Sequence, residues 1–414
     1  MELQEYLDKD LLHSIHTSER RSFRSCRRRW SWVYRDGIYP RVTPQPLEFG
    51  VAFHAAMEKF YEPKMWKHDF MVKQGVALVQ FKKSCDEQLA NYTKLNGKPD
   101  AEKLEEYKQR IVLGLNMIKY YTEQISPRYD VGFTPIAVEI GFEVPILSPD
   151  GQPILCKCPR CWTKYTNHIN QMKAEHPSDW TNRTVSEIED RSYWSGLPVS
   201  YGGRIDMLAQ EDKTGKYFVV DWKSTSRMLD ADSQSSFLQL DDQISSYMWA
   251  LSKRGVNVAG FVYVEIKKDY PRPPEELSRL YKGRAFSTSK TWMTTPEIFT
   301  THVMQHDLMA YEAGVYDEHI QWLRAEGPRF HQRHQIHKNE YEIEQVGHNI
   351  YLEALDIIDN PRIYPSPGRF SCPSCLYRQP CLGQNSGEDY LYTLQTMFEH
   401  RPRHYYETKE PSTE

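Results

Sequence analysis

The sequence predicts an α/β protein. Helical periodicity fills the first third, β-branched and alternating patterns fill the middle, and helical periodicity returns after them. With 414 residues the chain is long enough for a large core. Its 39% hydrophobic and 26% charged residues are ordinary for a globular protein, and no run approaches the roughly 18 apolar residues of a membrane span. The opening Met1-Glu2-Leu3-Gln4-Glu5 lacks a basic n-region and an apolar h-region, so a cytoplasmic location and no membrane partner are expected. A net charge of -4 gives no global attraction to nucleic acid, and any such contact has to come from a local basic groove.

Residues 18–38 read as a helix entered through Ser22. Trp30, Trp32, Val33 and Tyr34 supply its apolar side, Arg20, Arg21, Arg24, Arg27, Arg28 and Arg29 the rest, and Cys26 is embedded among the arginines. A Pro-rich stretch from Pro40 to Pro46 precedes Phe49-Gly50-Val51-Ala52-Phe53-His54, which opens a helix toward Tyr61. Residues 68–92 and 101–125 continue with helical spacing, including Ile111, Leu115, Ile118 and Tyr121. At Pro135 the pattern changes, and Ile136 to Ile146 alternates as a strand does. Residues 148–200 are polar and irregular and read as an insertion between strands. The strand pattern resumes from Gly203 to Gln210, turns at Glu211-Asp212-Lys213-Thr214-Gly215, and returns from Lys216 to Lys223 as a hairpin. Residues 237–254 read as a helix, 257–267 as a strand, and 296–326 and 338–358 as helices. Residues 269–295 and 361–369 read as loops.

The hairpin carries the chemistry. Asp206 and Asp221 come from its adjacent strands and can converge at one end of the sheet. Lys223, two residues after Asp221, shares its face by the strand period of two, whereas Trp222 points into the core. Carboxylates that hold a divalent metal, with an ammonium beside them, are what phosphodiester hydrolysis requires: an activated water and neutralised phosphate charge. A lone Asp-x-Lys is more often a solvated strand end. Here the apolar run Val219-Val220 ends in two charges, which places them at a sheet edge or in a cleft.

Two cysteine groups stand out. Cys372-x2-Cys375-x5-Cys381, with Cys26 from the far end, suits either a [4Fe–4S] cluster or Zn²⁺, and spacing does not separate the two. Cys156-x-Cys158-x2-Cys161 lies in the insertion, where His168 or His176 is a candidate fourth ligand of a small zinc site. Cys85, on an apolar helix, reads as a packed thiol.

Gly50-x3-His54, Gly203-Arg204-Ile205-Asp206, Asp221-Trp222-Lys223 and Gln243-x3-Tyr247 appear in the order and rough spacing of RecB-type nucleases of the PD-(D/E)XK superfamily, which the chain resembles over nearly its whole length. The one-plus-three cysteine arrangement is similar to the iron–sulfur branch, which includes the AddB nuclease domain and CRISPR-adaptation exonucleases. The resemblance implies a mixed central sheet flanked by helices, with a helical N-terminal region and a C-terminal cysteine cluster. It also implies one nuclease domain over 1–414, closed by an iron–sulfur staple and carrying the 148–200 insertion. It implies that His54, Asp206, Asp221 and the backbone carbonyl of Trp222 hold Mg²⁺ or Mn²⁺, that Lys223 acts on the water, and that Gln243 and Tyr247 contact substrate or brace the site. Glu139 matches an acidic position of some relatives and equally suits a solvent-facing strand residue.

The expected function is therefore a metal-dependent DNA exonuclease acting on single strands or DNA ends in recombination, repair or processing, with recombination or replication proteins as partners. No G-x4-G-K-[ST] phosphate loop is present, and a stand-alone nuclease of this kind fits a bacteriophage. The alternatives are a structure-selective endonuclease and a non-catalytic DNA-binding assembly protein. For DNA contact the expectation falls on Lys267, Lys268, Arg272, Arg279, Lys282, Arg284 and Lys290, interleaved with Tyr270, Tyr281 and Phe286, and on the arginines around Cys26.

Overall fold

The computed structural model describes Gln4 and residues 11–42, 44–175, 191, 194–227, 237–327, 329–359 and 361–401. The chain enters through a short strand β1 (His13–His16) and passes directly into helix α1 (Thr17–Ser25). The helix expected over 18–38 is thus entered before Ser22, which is buried inside it. It also breaks at Cys26, whose backbone is extended (φ -164°, ψ 108°), before α2 (Arg27–Trp30), a π turn (Ser31–Arg35) and strand β2 (Ile38–Pro40). The proline stretch is the start of α3 (Gln45–Tyr61), because Pro46 lies in its first turn, where no amide donor is needed. Helices α4 (Phe70–Asn96) and α5 (Ala101–Tyr120) follow, opened by the Asp69 and Asp100 side chains, which accept from Met71 N and Lys103 N.

Strand β3 (Phe133–Pro145) then starts the expected sheet. The 148–200 insertion is less irregular than its polarity suggests: it holds β4 (Leu155–Cys156) and a long helix α6 (Pro159–Glu175). The hairpin forms as expected from β5 (Leu197–Glu211) and β6 (Tyr217–Thr225), followed by α7 (Asp242–Lys253) and β7 (Val258–Lys267). The 269–295 loop contains a small hairpin, β8 (Glu276–Tyr281) and β9 (Arg284–Phe286). The helix expected over 296–326 is three: α8 (Pro296–His306), α9 (Leu308–Glu312) and α10 (Asp317–Glu326). Strand β10 (His331–Ile336) and α11 (Glu340–Ile358) complete the core, and α12 (Arg378–Ser386), α13 (Tyr390–Met397) and β11 (Phe398–His400) are the last elements of the described residues.

The result is a mixed central sheet flanked by helices. On one face α3, α4 and α5 bury Phe53, Phe60, Phe81 and Ile118 against Phe218, Val220, Trp222 and Val264 of the strands. Gly114 makes this packing possible, since a Cβ there would fall 1.9 Å from the Phe81 ring. On the other face α7 and α11 bury Met248, Ile350 and Ala354 with Val219 and Phe261. The side chains of Arg20 and Arg24 bind α1 to both these helices: Arg20 reaches Glu353 at 2.6 Å and Asp242 at 3.2 Å, and Arg24 reaches Asp242 at 2.9 Å. Arg20 is 1% exposed, so it serves this joint rather than DNA. Among the described residues no helix is long and apolar enough to cross a membrane.

The sheet forks at one place. Strand β3 runs along one edge of β5 from Ser200 to Glu211; on the opposite edge β1 pairs in parallel with Val199 to Gly202, and β6 pairs antiparallel with Met207 to Gln210. From Gly203 to Asp206 that edge has no strand partner among the described residues. Strand β6 leaves β5 there and continues parallel to β7 through Thr225, and β10 lies antiparallel on the far side of β7.

Candidate active site

The fork is where the polar residues gather. Because β6 departs from β5 after Val220, the amide of Trp222 is free of the hairpin ladder, and the Asp206 carboxylate takes it: Trp222 N donates to Asp206 Oδ2 at 3.0 Å. Helix α3 lies across this point and brings His54 Nδ1 to 3.2 Å from the same oxygen. From the other edge of β5, strand β3 adds Glu139. One ligand atom each from His54, Glu139 and Asp206 lies within 4.8 Å of the others. Glu139 has φ 49°, a left-handed backbone that costs a non-glycine residue about 1 kcal/mol or more and concentrates at functional sites. It sits in the stretch of β3 facing the fork and is therefore a cleft residue, not a solvent-facing one.

Asp221 stands one layer behind this trio. It is 2% exposed; Lys223 Nζ donates to its Oδ1 at 3.0 Å and lies 2.8 Å from Oδ2, and Gln243 Nε2 donates to Oδ1 at 3.3 Å. Gln243 also donates to the Tyr247 hydroxyl at 3.1 Å, so the pair expected on one face of α7 braces the Asp221 carboxylate. Trp222 points into the core as expected, its ring stacked on Tyr61 and its Nε1 donating to the Tyr121 hydroxyl at 3.1 Å.

Electrostatics separates the acids. Burial pushes Glu139 up to about 7, with the neighbouring Asp206 adding to the rise, and burial pushes Asp221 up to about 6 against the pull of Lys223. Burial also opposes ionisation of Asp206, but the charge and hydrogen bond of His54, then Lys223 and the Trp222 amide, bring it below its ordinary value. Desolvation works against the charged forms of His54 and Lys223, yet Asp206 holds the first above its usual value and Asp221 with Asp206 holds the second. Three buried or half-buried carboxyls facing His54, Lys223 and Arg204, with His54, Glu139 and Asp206 able to point one ligand atom each at a common centre, form a donor set that fits a hard divalent ion.

His54, Glu139, Asp206, Lys223, Gln243 and Tyr247 line a cleft of about 1510 Å³, with Asp221 buried behind its wall. Besides Lys223, its basic lining is Arg21, Lys59, Arg160, Lys164, Arg204 and Arg254, scattered over four elements and the α7–β7 turn, a set that no single stretch of sequence contains. The basic stretch expected to bind DNA lies elsewhere: Lys267, Arg284 and Lys290 are not in the cleft lining. Arg284 covers the Tyr281 ring and Lys290 the Trp322 ring, and Lys267 reaches Met293 Sδ at 4.0 Å. Lys268 reaches the margin, donating to the Pro46 carbonyl at 3.3 Å. Glu58, one turn after His54, also lines the cleft, and its i+4 spacing was the available signal.

The two cysteine groups take different forms. Cys156, Cys158 and Cys161 do converge, but the histidine that joins them is His13 from β1, with all four ligand atoms within 4.8 Å of one another. His168 lies farther along α6 and is not in the group, and His176 lies outside the described residues. The four terminal cysteines form no group so tight among the described residues. They are half-buried, Cys26 at the α1–α2 break, Cys372 and Cys375 in turns, and Cys381 on α12. Arg28 links the two ends, with its amide donating to Tyr364 O at 3.1 Å and its guanidinium to Cys381 Sγ at 3.4 Å. Burial, and to a lesser degree the proximity of Cys26 and Cys372, raises the Cys375 thiol. Cys85 is fully buried in the α3–α5 core and belongs to neither group.

A search of curated proteins finds no match to the sequence. The family profile of the PD-(D/E)XK nuclease superfamily matches residues 17–382, a span that contains the fork, its acids, Lys223 and all four terminal cysteines. The chain belongs to the PD-(D/E)XK nuclease superfamily.

Proposed function

We propose that the protein is a divalent-metal-dependent deoxyribonuclease that degrades DNA from ends, single strands included, in recombination, repair or DNA processing. The observation that carries this reading is the fork itself: His54, Glu139 and Asp206 gathered within 4.8 Å, with Lys223 beside them in one cleft. His54, Glu139 and Asp206, with Asp221 and the Trp222 carbonyl next to them, would hold Mg²⁺ or Mn²⁺. When bound, such an ion supplies an activated water and charge neutralisation at the phosphate. Lys223, fixed by Asp221, presents its ammonium to the cleft, where developing negative charge is stabilised by a donor that needs no reorganisation. Gln243 and Tyr247 keep Asp221 in place. The cationic lining from Arg21 to Arg254 suits a polyanionic strand despite the acidic net charge.

We further assign the terminal cysteines to a [4Fe–4S] cluster. One cysteine before the nuclease residues and three after them match the arrangement of the iron–sulfur branch that the chain resembles, and they join distant parts of the chain beside the β2–β11 pairing. The cluster would act as a staple and not as a redox centre.

The test is degradation of end-labelled linear single-stranded DNA with Mn²⁺ by protein prepared anaerobically. Lys223→Ala is expected to lose about 100-fold or more in rate. Activity equal to that of the wild type would sink the assignment of Lys223. A circular single strand separates the modes: cleavage of the circle moves the reading to an endonuclease, and inactivity on every DNA with metal supplied moves it to a DNA-binding assembly protein.

A further inference from the structure

We propose that His13, Cys156, Cys158 and Cys161 form a structural Zn²⁺ site that fastens β1 to the insertion and so sets one wall of the cleft. The proposal does not rest on the nuclease reading. Four ligand atoms from two distant segments lie within 4.8 Å of one another, an arrangement that core packing alone does not demand. A tetrahedral zinc, with Zn–S about 2.3 Å and Zn–N about 2.0 Å, sets neighbouring ligand atoms roughly 3.5–3.8 Å apart. The His13 Nδ1 distances of 3.0 Å to Cys161 Sγ and 4.0 Å to Cys158 Sγ bracket that range. Cys156, Cys161 and His13 are 1%, 3% and 8% exposed and Cys158 is half-buried, and four protein ligands fill a tetrahedral shell, which is the composition of a structural site.

The local backbone is built for thiolates. Cys158 directly precedes α6, and the amide of Cys161 in the first turn of the helix donates to Cys158 Sγ at 3.5 Å. A helix N-terminus favours a negatively charged sulfur. What the site joins gives it a role. Strand β1 supplies Ser14 and His16 to the cleft and α6 supplies Arg160 and Lys164. Lys164 Nζ donates to Leu12 O, just before β1, at 3.3 Å, and Arg160 donates to the Tyr34 carbonyl at 2.8 Å, which ties α6 to the π turn as well.

The experiment uses the full chain and measures metal content by elemental analysis. Wild type is expected to carry one zinc per chain, Cys158→Ser and His13→Ala to lose it, and His168→Ala to keep it. Iron content should be the same in all four. Replacement of zinc by Co²⁺ in the wild type is expected to give the intense thiolate-to-cobalt and d–d absorption of a tetrahedral sulfur-rich site, a readout independent of whether the variants fold. Zinc retained in both ligand variants, or a cobalt-loaded wild type without tetrahedral absorption, would overturn the proposal. Loss of zinc in His168→Ala with retention in His13→Ala would overturn the choice of ligand.

Discussion

The two cysteine groups of this protein share a chemistry and differ in construction. In the insertion, three cysteines within one short segment, two of them buried and Cys158 half-buried, stand beside His13, and the ligand atoms are already at single-ion distances. At the chain ends, four half-exposed cysteines come from two segments at opposite ends of the sequence and stand farther apart. The first is assembled by local backbone, a helix start after Cys158, plus one strand pairing. The second depends on the whole fold bringing its ends together, through Arg28, Tyr364 and the β2–β11 ladder. Compact, buried sulfurs suit one ion that the fold encloses. Sulfurs drawn from both ends suit the proposed iron–sulfur cluster, which would complete that closure.

The difference can be broken most decisively at the ends. Cys375→Ser is expected to give colourless, poorly soluble protein, because metal–ligand binding at such a site is folding free energy; absorbance and the soluble fraction measure it. A brown chromophore that survives this change would show that the terminal group holds no iron–sulfur cluster. Zinc per chain in whatever folded protein remains should be unchanged, since the two sites are separate.

A smaller effect tests the link between the insertion and the cleft. A Cβ on Gly202 would lie 2.6 Å from both Glu143 Oε2 and Ser14 Oγ and 2.8 Å from His16 Nε2, so Gly202→Ala crowds three side-chain ends, two of them on β1, the strand that carries His13. Overpacking of this kind costs about 1–3 kcal/mol. Denaturant unfolding should report that loss together with weaker zinc retention against a chelator, and no change in iron. An unaltered chelation rate would mean that the position of β1 does not govern the zinc site.

Cys85→Ala marks the lower limit. The thiol is fully buried between α3, α4 and α5, burial pushes it up to about 11, and it touches neither group. The substitution should cost about 1 kcal/mol of stability from lost packing and leave both metal contents at wild-type values. Any loss of metal would reveal a coupling that the separation of the groups does not anticipate.

Much of the site was legible before any coordinates. Asp206, Asp221 and Lys223 sit on the hairpin that strand alternation predicts, and Trp222 faces the core by the same period. Gln243 and Tyr247 share a helix face because they are four apart. Other residues were not legible. Strands β1 (His-Ser-Ile-His) and β10 (His-Gln-Arg-His-Gln-Ile) carry almost no β-branched pattern and exist because an open edge of β5 or β7 pairs with them. Missing β1 concealed His13, and a histidine inside the insertion was the nearer candidate. The arginines around Cys26 were legible as charge but not as structure, since their partners Asp242 and Glu353 lie on α7 and α11.

By itself the sequence determined the α/β class, the hairpin and its acids, and the two sets of thiols, because each depends on periodicity or on spacing along a few residues. Only the tertiary structure decided that β5 pairs with both β1 and β6 along one edge, leaving the fork in which Asp206 meets His54 and Glu139. It alone brought His13, and not His168, to the insertion cysteines, and it gathered lysines and arginines from separate elements along one cleft. Those choices rest on contacts between residues far apart in the chain, whose geometry is set by sheet pairing and helix packing and leaves no local trace in the order of amino acids.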